Sequence, residues 1–458
     1  MNYLDRCESI EKEGGKMSFN DNLTAKTIMT TILLITVLLC AMSCRECPTE
    51  PDYDIYLSAE DVFCTSVVLS ITLPDSGDVS AFALDRDDST VATYTCHDDD
   101  TLIVYEGLMP NTDYIYCVRF LKDGKTKAES DPVPVHTMDT TSHDISNWEI
   151  DTLGISGGIY DLWIVSEDNI WAVGQIIAED PDSSFDGSGE EYFNAAHWNG
   201  NKWNLMRMER GAPLESIWYF DDNNIWAAGI PIHWDGEKWT YYHLWDMGIL
   251  NADDGGVEHI WATSPNDIYF VGNKGSIVHY NGSTFTKMES GTTCRLEDVW
   301  GIDNSHIWAV GTETNNSRSV ILFYNGKVWK TLHDTNNERK CWSNSVWTDN
   351  PYLLFLNGGS GRYLFDLMQE KLSKYKSAGE WFGYDIYGTA YNDIFTSNMG
   401  SEILHFNGST WHLYTEFQNM YGVWGLIKAI KVSEYLVVAG GEYYTGIGSL
   451  PIVIRGYR

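Results

Sequence analysis

The stretch that decides the fold is Asp298 to Gly311, which reads DVWGIDNSHIWAVG. A short aromatic strand is followed by an Asp/Asn-rich turn and then by a second strand that ends in glycine. Beyond it, Phe323-Tyr324-Asn325-Gly326 supplies a third strand and a turn, and Trp329 belongs to a fourth strand. Apolar runs bounded by turn residues are typical of short antiparallel strands. The stretch therefore predicts a repeating unit of four strands.

The same unit recurs through the C-terminal two thirds of the chain. Its first-strand aromatic residue is found at seven places, about 43 residues apart on average: Trp163, Trp218, Trp261, Trp300, Trp347, Tyr387 and Trp424. A period of roughly 40–50 residues is that of β-propeller blades. An Asn-Gly or Asp-Gly pair separates the third and fourth strands of most units, and we expect both of its residues at positive φ.

The last unit lacks a fourth strand after it, because the sequence ends shortly beyond the seventh third strand. An aromatic strand containing Trp148 precedes the first unit instead. Pairing this strand with the last one closes a ring and protects its edges. We therefore predict an all-β protein with a seven-bladed β-propeller of four-stranded blades over residues 147–458, closed by an N-terminal outer strand.

Residues 52–138 alternate like the strands of a small sandwich, and residues 139–146 read as a linker. The segment Leu108 to Tyr114 (LMPNTDY) resembles the Leu-x-Pro-x-Thr-x-Tyr signature of fibronectin type III domains. The resemblance implies that Tyr114 is a tyrosine-corner residue, whose hydroxyl bonds back to the backbone. It also implies that this domain acts as a spacer.

The N-terminus reads as a targeting segment. Lys26 precedes an apolar run from Ile28 to Met42, and Ala41-Met42-Ser43-Cys44 resembles a bacterial lipobox. The resemblance implies a signal peptide over residues 1–43, with Met17 as an alternative start, and a lipid on Cys44. Residues 44–51 then form an extended tether. The protein is therefore expected to be lipid-anchored at the bacterial outer membrane or cell surface.

Composition narrows the partners. The chain has 458 residues, 19 tryptophans and a formal net charge of −35. Nucleic-acid binding needs a basic surface, so that class is excluded. A GxSxG nucleophile motif, an HExxH zinc motif and a P-loop are all missing from the sequence. Taken together, the chain resembles Trp-rich propeller lipoproteins of Bacteroidota-like bacteria, some of them loosely labelled glucosyltransferase.

Loop length indicates the working face of the ring. Turns between first and second strands and between third and fourth strands are short. The long connections, which share the opposite face, are 175–195, 206–215, 242–257, 333–344, 414–421 and 441–450. Long loops on a rigid scaffold usually carry function. Exposed aromatic residues there are candidates for binding a glycan or a peptide: Trp245, Trp342, Trp381, Phe382, Tyr443 and Tyr444.

The same face holds the start of each first strand. The residues three positions before the first-strand aromatic include Tyr160, Glu215, Glu258, Glu297 and Tyr421. We expect the three glutamates, from consecutive units, to form an acidic arc at the mouth of a central channel. The next positions hold Asp161, Asp298 and Asp385, which the two-residue period of a strand directs to the other face of the sheet.

Three functions remain open. The first is a cell-surface binding lipoprotein, monomeric, whose long-loop face recognises a glycan or a protein. The second is a polysaccharide-active enzyme with Glu215, Glu258 or Glu297 as acid and base. The third is a scaffold subunit of an envelope assembly. Neighbouring carboxylates also suit a Ca²⁺ ion, and a disulfide between Cys294 and Cys341, six residues before two inner tryptophans, is a candidate.

Overall fold

The computed structural model describes residues 55–72, 81–95, 100–122, 124–182, 187–208, 212–313, 318–335, 343–359, 361–375, 382–417, 425–446 and 448–458. The expected signal peptide, Cys44 and the tether lie outside these residues. So do several residues named above: Cys341, Trp342, Trp381, Tyr421 and Trp424. Within the described ranges, no helix has the length and apolar character needed to span a membrane.

Two sheets build the N-terminal part. One has the order β1-β2-β5, with β1 at Tyr56–Val62, β2 at Ser66–Thr72 and β5 at Asp100–Glu106. The other has the order β4-β3-β6-β7, with β8 also paired to β6. Its strands are β3 (Ala81–Arg86), β4 (Ser89–Tyr94), β6 (Asp113–Lys122), β7 (Lys125–Glu129) and β8 (Val133–His136). The residues that alternate inward make one core, including Val67, Leu69, Phe82, Leu84, Tyr116, Val118 and Phe120.

The segment that carries the Tyr114 signature is anchored as expected from the resemblance. The Tyr114 hydroxyl accepts a hydrogen bond of 2.9 Å from the backbone amide of Met109. A buried threonine, Thr137, ties the same corner to the end of the domain by donating to the Met109 carbonyl at 2.6 Å. The corner is therefore fixed from both sides.

The rest of the described chain forms four-stranded antiparallel sheets, which we number in chain order. Sheet 1 has β10 (Ser156–Ser166), β11 (Asn169–Glu179), β12 (Glu190–Trp198) and β13 (Trp203–Met206); sheet 2 has β14 (Ser216–Asp221), β15 (Asn224–Ala228), β16 (Ile232–Trp234) and β17 (Trp239–Tyr241). Sheet 3 has β18 (Val257–Ser264), β19 (Asp267–Gly272), β20 (Ile277–Tyr280) and β21 (Phe285–Met288); sheet 4 has β22 (Arg295–Asp303), β23 (His306–Glu313), β24 (Arg318–Tyr324) and β25 (Trp329–Asp334).

Three further sheets complete the series. Sheet 5 has β26 (Ser343–Trp347), β27 (Leu353–Gly358), β28 (Gly361–Asp366) and β29 (Lys371–Lys374); sheet 6 has β30 (Gly383–Ala390), β31 (Asp393–Asn398), β32 (Glu402–Phe406) and β33 (Trp411–Tyr414). Sheet 7 has β34 (Gly425–Val432), β35 (Leu436–Thr445), β36 (Gly448–Tyr457) and, from before sheet 1, β9 (Asn147–Thr152). A 3₁₀ turn at Asn273–Gly275 joins β19 to β20.

Neighbouring sheets meet through their first strands. Each first strand contacts the first strand of the next sheet, and β34 of sheet 7 contacts β10 of sheet 1. The strand with Trp148 pairs with β36, so that Trp148 lies opposite Gly456. A side chain at Gly456 would collide with the Trp148 ring, which lies 2.3 Å from an ideal Cβ. Glycine at that position therefore lets the indole cover the strand.

The third-to-fourth turns have a different conformation from the expected one. Only the glycine of each pair has positive φ, as at Gly200 (φ 83°) and Gly326 (φ 81°). The preceding Asn or Asp instead uses its side-chain oxygen to accept two amide hydrogen bonds; Asn199 Oδ1 accepts from Asn201 and Lys202 at 3.1 and 3.0 Å. This Asx turn repeats at Asp235, Asn281, Asn325 and Asn407. The Asn-Gly or Asp-Gly pair therefore supplies a side-chain acceptor at its first residue and positive φ at its glycine.

The N-terminal sheets pack on the short-turn face of sheets 5 and 6. Phe63, in the turn after β1, stacks on Tyr391 with ring centroids 4.2 Å apart. Both residues belong to a core shared with Trp347 and Phe355. The linker follows the same face, where Asn392 Nδ2 donates to the Asp139 carbonyl at 2.8 Å. The two parts of the molecule therefore share an apolar contact.

Candidate functional site

An irregularity at the start of the first strands builds the site. In six of the seven sheets the pairing register shifts around one extra residue: Tyr160, Glu258, Glu297, Asn344, Tyr384 and Lys428. Glu215 lies just before β14, and its amide donates to the same residue, Ala228, that Ser216 faces. A β-bulge of this kind redirects side chains and increases local twist. Six of these seven residues line one cavity where the first strands converge, and Glu258 lies beside it.

The bulges correct one sequence-based expectation. Asp161, Asp298 and Asp385 do not point away from the mouth residues; they line the same cavity. An extra residue in a strand breaks the two-residue alternation, so consecutive side chains reach the same side. The strand period alone could not reveal this, because the period assumes a regular ladder.

Each of these aspartates also joins two sheets. Asp161 Oδ2 accepts the Ile217 amide of sheet 2 at 2.9 Å, and Asp298 Oδ2 accepts the Val346 amide of sheet 5 at 3.0 Å. Asp385 Oδ2 accepts the Ile430 amide of sheet 7 at 2.9 Å. The same contact, from one sheet to the next, therefore recurs three times around the cavity.

Sheet 7 departs from the repeat that the sequence suggested. Its first strand begins at Gly425 and bulges at Lys428, so Lys428 and Lys431 hold the positions that Tyr160 and Trp163 hold in sheet 1. Tyr421 and Trp424 precede that strand. The spacing contained a warning, because Trp424 to Gly440 is five residues longer than Trp300 to Gly311.

Two of the three glutamates of the acidic arc share one arginine as an ion-pair partner. Arg295 Nη2 lies 2.8 Å from Glu258 Oε2, and Arg295 Nε lies 3.3 Å from Glu297 Oε2. Asn273 Nδ2 donates to Glu258 Oε1 at 2.6 Å, and Thr312 Oγ1 donates to Glu297 Oε1 at 3.0 Å. Because both carboxylates already have a cation and a donor, they are poor candidates for contacting a ligand directly.

Glu215 differs from them. It is half-buried, and among the described residues its carboxylate has no hydrogen bond and no ion pair. Burial raises the pKa of Glu215, while the nearby His259 opposes that rise. An accessible carboxylate in a partly desolvated place gains most when a cationic group reaches it.

Close to Glu215, the mouth combines an aromatic wall with a paired lysine. Lys428 Nζ lies 4.5 Å from the centre of the Tyr160 ring and 2.9 Å from Glu442 Oε1. The Tyr444 hydroxyl donates to the same Glu442 oxygen at 3.0 Å. Burial and Glu442 raise the pKa of Tyr444 to about 12, so the phenol remains a neutral donor. Tyr160 and Tyr444 therefore lie together at the mouth.

The cavity floor holds a buried cation. Lys431 Nζ lies 2.9 Å from Asp161 Oδ1 and 3.5 Å from Asp385 Oδ2, and 5.1 Å from the Tyr387 ring centre. Burial alone lowers the pKa of Lys431, but the two carboxylates outweigh it and raise the pKa. The lysine is therefore charged and links sheets 6, 7 and 1.

The remaining aromatic candidates divide by exposure. Trp245, in the long connection before β18, is 40% exposed, and Tyr444 is 42% exposed. Phe382 is half-buried and packs on Tyr384, with ring centroids 5.2 Å apart. Tyr443 is fully buried and donates to the Phe417 carbonyl at 3.2 Å, so the structure removes it from the ligand-facing set. Trp342, Trp381 and Tyr421 lie outside the described residues and stay predictions.

Other sequence-based candidates have these outcomes. Within the described ranges no group of three or more His, Cys, Asp or Glu side chains is placed to hold a metal ion. Cys294 is buried just before β22; its suggested partner Cys341 is not described. The long connections are shorter than expected, because β11 and β12 extend into 175–195, and β35 and β36 fill most of 441–450.

Several site residues were not anticipated: His259, Arg295, Ser345, Lys428, Lys431 and Glu442. Arg295 belongs to no repeat position, and Glu442 acts from the second strand. For the two lysines the irregular spacing of the seventh unit was the available signal.

The mouth lies on the opposite side of the sheets from the N-terminal part. Along β30, Tyr384 lines the cavity, whereas Tyr391, just past the other end of the strand, contacts Phe63. Seven residues of extended chain separate them, which is roughly 23 Å. Nothing in the N-terminal sheets therefore covers the cavity.

Comparison with known proteins defines the fold. No family model and no curated protein matches the chain. It is similar to the solved structure of YCF48 bound to a D1 peptide, with a TM-score of 0.50 and 15% identity, covering 70% of this chain and 100% of that one. It also resembles the RRP9 WD40 repeats (TM-score 0.49, 10% identity, 68% and 98% covered). A third similar structure is the extracellular domain of a hybrid two-component system protein from B. thetaiotaomicron (0.48, 14%, 67% and 42%). The chain thus has an all-β fold of four-stranded antiparallel sheets, which it shares with the YCF48 structure.

Proposed function

We propose that the seven four-stranded sheets are the blades of one closed β-propeller. The contact of β34 with β10 and the pairing of β9 with β36 support closure, because they join the two ends of the series. The two N-terminal sheets and the Tyr114 corner support a fibronectin type III-like domain before the propeller.

On this scaffold, the protein is a binding protein whose mouth accepts a basic side chain of a protein ligand. The observation that carries the proposal is Glu215, an unpaired and half-buried carboxylate at the mouth of a cavity. Exposed Tyr444, at the mouth, and exposed Trp245, in the long connection before β18, offer apolar contact area on the same face. The net charge of −35 attracts a basic partner over a distance. The similar structure of YCF48, which was solved bound to a D1 peptide, is a precedent for peptide binding by this fold.

The placement of the domains suits display at a surface. Strand β1 runs from Tyr56 at the far end of the N-terminal domain to the turn with Phe63 at the propeller. The described chain therefore begins, at Ile55, on the side away from the mouth, which suits an anchor that precedes it. The anchor and the outer-membrane or cell-surface location remain proposals that rest on the lipobox-like sequence.

The test is a peptide array in which lysine or arginine at each position is replaced by norleucine or citrulline, which remove the charge. We expect binding that needs one basic side chain and weakens at least tenfold in Glu215→Gln. The matched control is Glu237→Gln, an exposed glutamate in a turn on the opposite face. Equal binding by Glu215→Gln, or ligands recovered only from a glycan array, would overturn the proposal.

A further inference from the structure

On the cavity floor, one serine hydroxyl lies within hydrogen-bond distance of two aspartate carboxylates. Ser345 Oγ lies 2.6 Å from Asp298 Oδ2 and 2.9 Å from Asp385 Oδ1. A serine hydroxyl has a single hydrogen and can donate to only one carboxylate. If both aspartates were ionised, one of these contacts would place two lone pairs against each other.

The contact is satisfied when one carboxyl carries a proton. We propose that Asp298 and Asp385 share one proton through Ser345, and that a cationic group entering the cavity releases it. Asp298 Oδ2–H then donates to Ser345 Oγ, and Ser345 Oγ–H donates to Asp385 Oδ1. The second half of this proposal rests on the proposed function of the mouth; the first half does not.

The surrounding groups decide which carboxyl holds the proton. Asp385 Oδ2 accepts the Ile430 amide and faces Lys431, so its charge is compensated. Asp298 also accepts two amides, that of Val299 on Oδ1 at 2.8 Å and that of Val346 on Oδ2 at 3.0 Å, but it is Asp385 that faces Lys431. The proton therefore resides on Asp298, and Lys431 lies as a cation between Asp161 and Asp385.

The other charged groups around Asp298 come from every neighbouring strand. They are His259 from β18, Glu297 on β22 itself, Asp385 from β30 and, behind it, Lys431 from β34 and Asp161 from β10. Burial and Asp385 raise the pKa of Asp298 to about 6, and His259 and Ser345 oppose the rise. The proton is therefore held at mildly acid pH and given up near neutrality.

A cation at the mouth also shifts the protonation equilibrium of Asp298. Positive charge in the cavity stabilises ionised Asp298, so binding of the cation and loss of the proton are thermodynamically linked. Glu215 and Asp298 line one cavity, so a cation held at Glu215 lies within the reach of this interaction.

The test measures the protonation of the Asp298 carboxyl by infrared spectroscopy. In protein labelled with ¹³C at the aspartate side-chain carbonyl, infrared spectra should show a protonated acid band at pH 5 that disappears by pH 7.5. The band should be missing in Asp298→Asn and retained in Asp303→Asn, an exposed aspartate on the same strand. Ser345→Ala should keep the band but shift its frequency, because the acid loses its acceptor.

The outcomes separate the two halves. A wild-type protein without a titrating acid band, or a band that persists in Asp298→Asn, overturns the shared proton. Ethylguanidinium, used as a small cationic probe, should lower the midpoint of the wild-type titration and leave it unchanged in Glu215→Gln. A midpoint that does not change when the probe is added overturns only the coupling to cation binding. The spectra recorded without the probe still show whether Asp298 and Asp385 share a proton.

Discussion

At the scale of single residues, Lys431 is the main departure from the repeat. Six sheets place an aromatic ring at this position, and sheet 7 places a buried cation there. A buried charge is tolerated only with partners, and Lys431 has Asp161, Asp385 and the face of Tyr387. It thereby compensates the carboxylates that hold neighbouring sheets together.

Removing this cation should destabilise the junction of sheets 6, 7 and 1. Lys431→Met leaves two carboxylates uncompensated, and breaking a buried pair in this way costs about 3–5 kcal/mol. The midpoint of urea unfolding measures the loss, with Lys330→Met, an exposed lysine on β25, as the control. Adding Asp385→Asn to Lys431→Met should recover part of the stability. A Lys431→Met variant as stable as the control would show that the cation is dispensable.

Asp298 gives a pH dependence with a definite sign. Its pKa of about 6 lies above the ordinary aspartate value, so between pH 4 and 6 the folded state holds a proton that the unfolded state has lost. The contribution of this group to stability is therefore full below that window and declines as pH rises through it. The pKa of Asp393 shifts in the other direction. Burial raises it, but the hydrogen bonds with His405 and Arg458 outweigh burial and lower the pKa to about 2, so Asp393 does not contribute to this pH window.

The comparison of wild type with Asp298→Asn isolates this effect. The difference in unfolding free energy should favour the wild type more at pH 4.5 than at pH 7.5, as chemical denaturation at both pH values would measure. A difference that is constant between the two pH values contradicts the raised pKa.

The sequence predicted some residues of the site and missed others. The sequence located Tyr160, Glu215 and Glu297 at the mouth, because repeats put equivalent residues at equivalent places. It directed Asp161, Asp298 and Asp385 to the wrong side, because a bulge has no signature in the apolar pattern. Arg295 could not be found at all, since its importance depends on two glutamates from different strands.

At the scale of elements, the strand β9 has a special position. Every other fourth strand follows its partner through a short turn, whereas β9 is separated from β36 by the whole series of sheets. Trp148 packs edge-on against Tyr414 and Phe417, with ring centroids 5.2 and 4.7 Å away. The long-range pairing thus depends on side-chain packing more than a hairpin does.

Trp148→Ala should therefore loosen the pairing between β9 and β36. We expect a loss of about 2–4 kcal/mol from the removed indole and faster hydrogen exchange at the β36 amides that face β9. Trp239→Ala is the matched control, because Trp239 lies at the same position of sheet 2 but on a strand joined by a hairpin. Equal exchange rates at the outer strands of both variants would show that β9 closes nothing.

The strand order was accessible from sequence because each unit repeats the same turn residues and the same aromatic. The assignment failed in sheet 7, where the aromatic has been replaced by lysine and another tryptophan lies nearby. The exact form of the Asx turns also escaped, since a dipeptide rule does not specify side-chain acceptors.

At the scale of the whole molecule, the apolar contact at Phe63 sets the direction of the mouth. It fixes the N-terminal sheets on sheets 5 and 6 and leaves the cavity on the other side. The sequence predicted both parts but not their contact, because Phe63 lies in the turn after β1 and Tyr391 in the first-to-second-strand turn of sheet 6, and strand periodicity does not pair distant turns.

Phe63→Ala should uncouple the two parts. The wild type should unfold in one calorimetric transition, and the variant should show a separate, earlier transition of the N-terminal domain, because a buried Phe→Ala change costs about 3–5 kcal/mol. Tyr56→Ala, at the exposed far end of the same strand, is the control. A single transition in all three proteins would show that the interface does not couple them.

Two exposed tyrosines allow a direct test of whether the ligand binds at the mouth and not at the short-turn face. Tyr444 lies at the mouth end of β35, and Tyr435 lies just before the other end of the same strand. A photo-crosslinking amino acid placed at each position should capture the basic protein ligand from 444 only, and the Glu215→Gln change should abolish that crosslink. Crosslinks from position 435 but not from 444 would contradict binding at the mouth. Crosslinks from 444 that persist in Glu215→Gln would contradict the role of Glu215.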